Sequence, residues 1–378
     1  MDSPFRYGKL AEGTSFVNRV EEKRMLKQNL SSGINTMLVS PRRWGKSSLV
    51  KEAMRELIYE KQDIRVCYID AFSINSEEEF YNTFAREVVK ATDNKWEAWV
   101  STAKEYLKSL SPKISIGPDP MVDFYIDLEV RSLKENDRDL LNLPEKIAHD
   151  KGIKIIVCID EFQNLAGLKG YDMLERKMRS VWQMQQNVTY CLYGSKRHMM
   201  VEIFNSSSKP FYRFGQLLFL PKIEEYEWVQ FIMNSFKKTD KEISEELTMQ
   251  LVGIADSHSW YVQQLAYFTW NLTERYTTTD ILQTAVRQII DTNLPLFQSE
   301  CESLTPTQLN LLEALSNGEK AFTSVAVMSK YNLGTPQNVT KNKLILQKRD
   351  IIDKTPEGFT FLDPIFKLWF ETEYISGY

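Results

Sequence analysis

Cysteine and histidine are scarce in this chain, four and three among 378 residues. No pair of either type falls at metal-ligand spacing. Cys67, Cys158 and Cys191 each lie inside an apparent strand and read as small core hydrophobes. His149, His198 and His258 form no metal-binding pattern. A bound transition metal and a thiol nucleophile are set aside on these grounds. No apolar run approaches the roughly 20 residues of a membrane span. The N-terminus, Met1-Asp-Ser-Pro-Phe-Arg, has no apolar targeting core, so the expected compartment is the cytosol. A global positive field is missing too, because the net charge is −4. Any nucleic-acid surface must therefore be local.

What is present is organised around residues 35 to 49. Thr36 to Val39 reads as a short buried strand, and Leu49 and Val50 open an apolar helical pattern. Between them Ser40-Pro-Arg-Arg-Trp-Gly-Lys-Ser47 matches the phosphate-binding loop G-x-x-x-x-G-K-[ST] at every fixed position but the first. Ser40, Pro41, Arg42, Arg43, Trp44, Gly45, Lys46, Ser47 and Ser48 are the nucleotide-binding candidates. Successive backbone N–H groups and a helix N-terminus present partial positive charge to an anion. Gly45 lets the backbone approach closely, Lys46 neutralises the β and γ oxygens, and the Ser47 hydroxyl is a Mg²⁺ ligand. Arg42 and Arg43 either assist the phosphates or are solvated loop charges. Ser40 stands where the motif has a glycine, and serine tolerates fewer backbone angles.

A second element follows 120 residues on. Ile155-Ile-Val-Cys-Ile159 is an unbroken apolar run, as a central parallel strand buried on both faces requires. It ends in Asp160-Glu161, at the carboxyl edge where open α/β sheets bind ligands. Asp160 is placed to hold Mg²⁺, directly or through water, and Glu161 to polarise the attacking water. The bland alternative is two solvated charges at a strand end.

The rest of the chain alternates. A weak helical face at Val20, Leu26 and Leu30 precedes the loop strand, and a helix from Ser48 to Tyr59 follows the loop. Ile64 to Asp70 is a strand ending in a carboxylate, which either faces the site or caps the strand end. Glu77 to Leu107 is helical throughout. Residues 113–120 and 123–128 read as an inserted hairpin bounded by Gly117 and two prolines. Helices are expected over Leu141–Asp150 and Asp172–Gln186, and strands over Val188–Tyr193 and Gly215–Leu220. Asn205 to Arg213 reads as a polar, mobile loop, from which Arg213 is the best-placed arginine finger, in cis or from a neighbouring subunit. Its alternative is a surface salt bridge.

Such alternation predicts a parallel sheet, so residues 1–222 form one nucleotide-binding domain. From Ile223 the strands stop, and four amphipathic helices over 223–298 suggest a helical lid. Residues 299–378 order as three helices and a hairpin, the pattern of a winged helix-turn-helix domain. Its recognition helix carries Lys341, Lys343, Lys348 and Arg349, with Gln337, Asn338 and Thr340 at its start. These suit contacts to DNA phosphates and base edges. Winged helices also dock proteins, and the segment is not strongly basic, so DNA and a protein partner both stay open.

Ser-Pro-Arg-Arg-Trp-Gly-Lys-Ser-Ser-Leu, Val-Cys-Ile-Asp-Glu-Phe-Gln-Asn-Leu, Tyr-Val-Gln-Gln-Leu-Ala and Leu-Thr-Pro-Thr-Gln-Leu together resemble the archaeal-type ATPases. These belong to the STAND branch of AAA+-like P-loop NTPases and carry a C-terminal winged helix. The resemblance spans nearly the whole chain and implies core, lid and winged helix, distantly similar to replication-origin initiator ATPases. It implies ATP rather than GTP, in line with the lack of a guanine-reading Asn-Lys-x-Asp stretch. It gives Ser195, after the Val188 strand, the role called sensor 1, which reads the γ-phosphate or water; ordinary turn chemistry is the alternative. Phe16-x-x-Arg19-x-x-Glu22 is similar to the segment beside adenine in AAA+-related ATPases, or is a helix start with a staple-like Phe.

Two positions depart from the family pattern. Ser40 replaces the loop glycine, and Asp256-Ser-His-Ser259 lacks the Gly-x-Pro that often precedes Tyr-Val-Gln-Gln. The expectation is an Mg²⁺-dependent ATPase acting as a molecular switch, with ATP between core and lid and slow turnover without a partner. The rival is a non-hydrolysing binding module that nucleotide merely stabilises. A kinase-like transferase is argued against by the Asp-Glu pair and the lid-plus-winged-helix tail.

Overall fold

The computed structural model describes residues 2–11, 13–17, 19–93, 95–110, 112–128, 135–355 and 358–376. The chain divides into two compact units, one of residues 19–221 and one of residues 1–18 with 222–378.

The first unit is a five-stranded parallel sheet with helices. Its strands are β1 (Thr36–Val39), β2 (Ile64–Asp70), β5 (Lys154–Asp160), β6 (Val188–Gly194) and β7 (Gln216–Phe219), in the order β2-β5-β6-β1-β7. All of β1 and β6, and the middle of β5, are buried, which is why their sequences are continuous apolar runs rather than alternating ones. The order has a consequence for chemistry. Strand β6 lies between β1 and β5, so its end at Gly194–Ser195 is flanked by the loop after β1 and the carboxylates ending β5.

The loop after β1 leads into the helix Lys46–Glu60, whose Leu49, Val50, Ala53, Met54 and Leu57 are buried at helical spacing. The expected hairpin is present as β3 (Lys113–Ile116) paired antiparallel with β4 (Phe124–Asp127). The single helical segment expected over 77–107 is two helices, Glu77–Ala91 and Trp96–Tyr106. Side chains compete with the backbone at the break. Thr92 Oγ1 donates to Val89 O at 2.7 Å, Asp93 Oδ1 accepts from Lys95 N at 3.1 Å, and Trp99 Nε1 donates to Asp93 O at 2.7 Å.

The segment expected to be a mobile polar loop is also different. The helix Arg197–Asn205 runs into it, and Phe211 is fully buried against Phe162, Phe204 and Phe214, with ring centroids 5.6, 5.7 and 5.0 Å away. Its serines suggested exposure, but one aromatic anchor fixes the segment.

The second unit has one continuous core. Four helices, Glu225–Lys237, Glu245–Ile254, Ser259–Leu272 and Thr279–Glu302, come first. The last continues through Pro295, so no chain break marks position 298. The helices Pro306–Ser316, Val325–Lys330 and Pro336–Lys348 follow, then the hairpin β8 (Ile352–Thr355) and β9 (Gly358–Phe361) and the short helix Pro364–Trp369. The core runs from Trp228 and Tyr261 to Leu346 and Trp369 without interruption, and includes Phe5 and Val17. That packing is why the first 18 residues, expected with the sheet, group here instead. No helix among the described residues is long and apolar enough to cross a membrane.

Candidate functional site

The loop from Ser40 to Ser47 takes its shape from two left-handed residues, Arg43 at φ 64° and Gly45 at φ 90°. Gly45 is needed for that angle rather than for space, since a Cβ there would meet nothing within 4 Å. Ser40 is not among the positive-φ residues, so serine carries no backbone strain at the departing position. It is fully buried; its N–H donates to Gly194 O at 3.3 Å and its hydroxyl to Pro41 O at 3.0 Å. Arg42 and Arg43 are exposed, Pro41 and Trp44 are half-buried, and Ser48 is buried in the first turn of the helix.

At the carboxyl edge of the sheet five side chains converge. Lys46 Nζ lies 2.6 Å from Glu161 Oε1 and 3.7 Å from Asp160 Oδ1. Ser47 Oγ donates to Asp160 Oδ2 at 2.6 Å. Ser195 donates to Glu161 Oε2 through both its hydroxyl, at 2.7 Å, and its backbone N–H, at 3.2 Å. The structure therefore brings together Lys46, Ser47, Asp160, Glu161 and Ser195. Glu161 itself is left-handed at φ 48°, which turns its side chain off the strand direction.

The two carboxyls are held differently. Burial raises both. For Glu161 the charge of Lys46 and the hydrogen bonds from Lys46, Gln163 and Ser195 outweigh burial and bring it down to about 2. For Asp160 burial wins over Lys46 and Ser47, and its pKa is raised. Among the described residues no group of three or more His, Cys, Asp or Glu converges on one point. The Ser47 hydroxyl and one Asp160 oxygen fit a hard divalent ion that takes its other ligands from water and phosphate, as Mg²⁺ does.

The other expected residues make different contacts. Arg19 is 3 % exposed, and its guanidinium bridges Trp44 O (3.1 Å), Pro221 O (2.9 Å) and Glu22 Oε1 (3.1 Å). It ties the phosphate loop to the end of β7's chain. Phe16 is half-buried and belongs to the second unit. Arg213 is not brought to the cluster of its own chain. It precedes β7, whose first residue Gln216 pairs with Thr36 at the start of β1, so it sits at the opposite sheet edge from the loop. Its guanidinium lies over the Tyr212 ring at 5.1 Å, and it is exposed. Asp70 is a cap: its carboxylate accepts from Phe72 N at 2.9 Å.

Two residues at the site carry no assigned role in the sequence reading. Gln163 Nε2 donates to Glu161 Oε2 at 2.6 Å, and Gly194 faces the other end of that carboxamide. Gln163 lies in the quoted stretch after Asp160-Glu161, but nothing local marks it as turned back toward Glu161.

On the helix Pro336–Lys348 and just after it, Gln337, Asn338, Thr340, Lys341 and Lys348 are exposed. Lys343 is half-buried over the rings of Phe359 and Phe322, at 4.9 and 5.8 Å, and burial lowers its pKa. Arg349 pairs with Glu300 at 2.6 Å. Two of the four expected cations are therefore engaged within the chain.

A family model described as an ATPase domain predominantly from Archaea matches residues 16–265. One for a winged helix domain matches residues 295–372. Among solved structures, the chain is similar to the Walker-type ATPase PABY2304 of Pyrococcus abyssi, at 17 % identity and a TM-score of 0.67. The match covers 95 % of this chain and 97 % of that one. It is similar to the ORC2 protein of Aeropyrum pernix in its ADPNP–ADP complexes, at 14 % identity and a TM-score of 0.57, covering 96 % and 95 % of the two chains. No curated protein matches it in sequence. The likenesses establish an AAA+-like fold with a C-terminal winged helix domain.

Proposed function

The chain belongs to the family of ATPase domains found predominantly in Archaea, and from that membership we propose that it is an Mg²⁺-dependent ATP-hydrolysing switch. One observation carries the reading: Lys46, Ser47, Asp160, Glu161 and Ser195 meet at the carboxyl edge of the parallel sheet, beside a loop that opens a helix. Lys46 binds the β and γ phosphate oxygens. Ser47 and Asp160 would hold Mg²⁺, which would supply neutralisation of phosphate charge. Glu161, kept ionised by its donors, orients the attacking water, and Ser195 shares its γ-phosphate side. The water oxygen bonds the γ-phosphorus as the bond to the ADP oxygen breaks, and both water protons leave with the phosphate as dihydrogen phosphate. ADPNP and ADP in the similar ORC2 structure support an adenine nucleotide as ligand.

The winged helix is the output. Exposed Gln337, Asn338, Thr340, Lys341 and Lys348 suit duplex DNA, whereas the commitment of Lys343 and Arg349 inside the chain favours a protein partner. The test is ATP hydrolysis by wild type, Lys46→Ala and Glu161→Gln, with and without Mg²⁺ and duplex DNA. Mg²⁺-dependent activity lost in both variants is the expected result, and stimulation by DNA assigns the partner. Tight ATP binding without turnover under every condition replaces the switch with a nucleotide-stabilised binding module.

A further inference from the structure

The oxygens of Glu161 are held unequally. Oε1 faces Lys46 alone, at 2.6 Å. Oε2 accepts three hydrogen bonds, from Gln163 Nε2 at 2.6 Å, Ser195 Oγ at 2.7 Å and Ser195 N at 3.2 Å. Two of these donors come from the end of β6, and the third is a side chain 1 % exposed. Gln163 has no room to turn aside. A Cβ built on Gly194 would lie 1.9 Å from its Oε1 and 2.9 Å from Met200 Sδ, so the carboxamide occupies the space a side chain would take. Reversing the amide would set its oxygen against a carboxylate oxygen, so Glu161 fixes which end donates.

From this geometry we infer that Gln163 is a positioning residue, which pins Oε2 of Glu161 so that Oε1 alone serves the attacking water. The inference rests on the ATPase reading and extends it to a residue that reading does not use. Lys46 is the labile partner. When phosphates draw its ammonium away, Oε1 is released while Oε2 keeps all three donors. The carboxylate then changes partner without changing place. A side chain held at one oxygen by three donors loses few orientations on taking up water, and misplacement by about 1 Å costs roughly 100-fold in rate. Gly194 belongs to the same device, because only a residue without Cβ leaves the carboxamide where it is.

The test uses the full chain. Gln163→Met keeps length and removes the donor; Gly194→Ala leaves the donor and displaces it. Hydrolysis rate at saturating ATP, equilibrium ATP affinity and melting temperature are measured for each. The expected result for both is a kcat at least about 10-fold lower, with ATP affinity close to wild type; the melting temperature stays close to wild type in Gln163→Met and falls in Gly194→Ala, where the added methyl overpacks Gln163 and Met200. Wild-type kcat in Gln163→Met overturns the inference and leaves the ATPase reading standing. So does a parallel loss of kcat and ATP affinity, which would make Gln163 part of the scaffold. A wild type that binds ATP but does not turn it over removes the ATPase reading first, and this inference with it.

Discussion

The Tyr261 hydroxyl donates to Asp363 Oδ2, joining residues 102 positions apart within the second unit. Asp363 has other work as well: its Oδ1 accepts from Ile365 N and Phe366 N, both at 2.9 Å, and so caps the helix Pro364–Trp369. Tyr261 is buried beside His258, ring centroids 4.9 Å apart. One carboxylate thus couples the helix Ser259–Leu272 to the end of the winged-helix segment.

The two ends of that link should differ in their effect. Tyr261→Phe removes one charge-assisted hydrogen bond and leaves the cap, costing about 1–3 kcal/mol. Asp363→Ala removes the bond and the cap and strands a buried hydroxyl, so it should cost more by about 1 kcal/mol. Urea unfolding of both variants checks the order. Equal losses would mean the cap contributes nothing.

Glu175 supplies a pH prediction. It is fully buried on the helix Tyr171–Trp182, and burial raises its carboxyl to about 7 from 4.5, with Lys209 and Arg176 opposing and Asp172 and Glu202 reinforcing the rise. The unfolded chain ionises this group first. Its contribution to stability is therefore full below about pH 4.5 and is lost as pH climbs through 7, at an upper limit of ~3 kcal/mol. Glu175→Gln cannot ionise. Relative to wild type it should gain stability between pH 5 and pH 8, and the difference in melting temperature should grow with pH. A difference that stays flat would place the carboxyl in a more solvated setting.

Ser40 tests whether the missing loop glycine is a defect. Its backbone is outside the left-handed region, and its hydroxyl is spent on Pro41 O. Ser40→Gly gains no needed freedom, loses a hydrogen bond and adds entropy to the unfolded chain. ATP affinity should stay within about 3-fold of wild type while stability falls by about 0.5–1.5 kcal/mol. Calorimetry of ATP binding and a denaturation curve together decide it. A marked gain in affinity would show that serine does distort the phosphate geometry.

Residues whose role is set by near neighbours were readable in the sequence. The loop from Ser40 to Ser47 and the Asp160-Glu161 pair announce themselves because each is a strand, a signature and a following element in a few residues. The winged-helix order was readable for the same reason. Gln163 and Gly194 were not, because their meeting depends on β6 lying next to β5, and strand order is not written in local pattern. Arg213 does not serve its own chain's cluster, on similar grounds: position after a polar run suggested a finger in cis or from a neighbouring subunit, and register with Thr36 puts it at the far edge of its own sheet. The break after Ala91 escaped because helical periodicity continues across it, while the bonds of Thr92, Asp93 and Trp99 that end the helix, though local, come from polar side chains competing with the backbone, which apolar spacing does not register.

Arg19 separates two ways of serving a nucleotide. Beside adenine, it would read the base. In the structure its fork grips the carbonyls of Trp44 and Pro221, and the expectation from that grip is that it acts on the phosphate loop and not on the base. Arg19→Lys keeps the charge but cannot span both carbonyls in the same plane. Affinity should then fall by about 3- to 10-fold, corresponding to roughly 1 kcal/mol for the lost bonds, and by the same factor for ATP and for ADP. The ratio of ATP to GTP affinity should not move. Fluorescence titrations with the three nucleotides read all of these at once. If the ATP-to-GTP ratio collapses while the phosphate dependence holds, Arg19 reads the base, and its bridge across Trp44 and Pro221 is only what places it there.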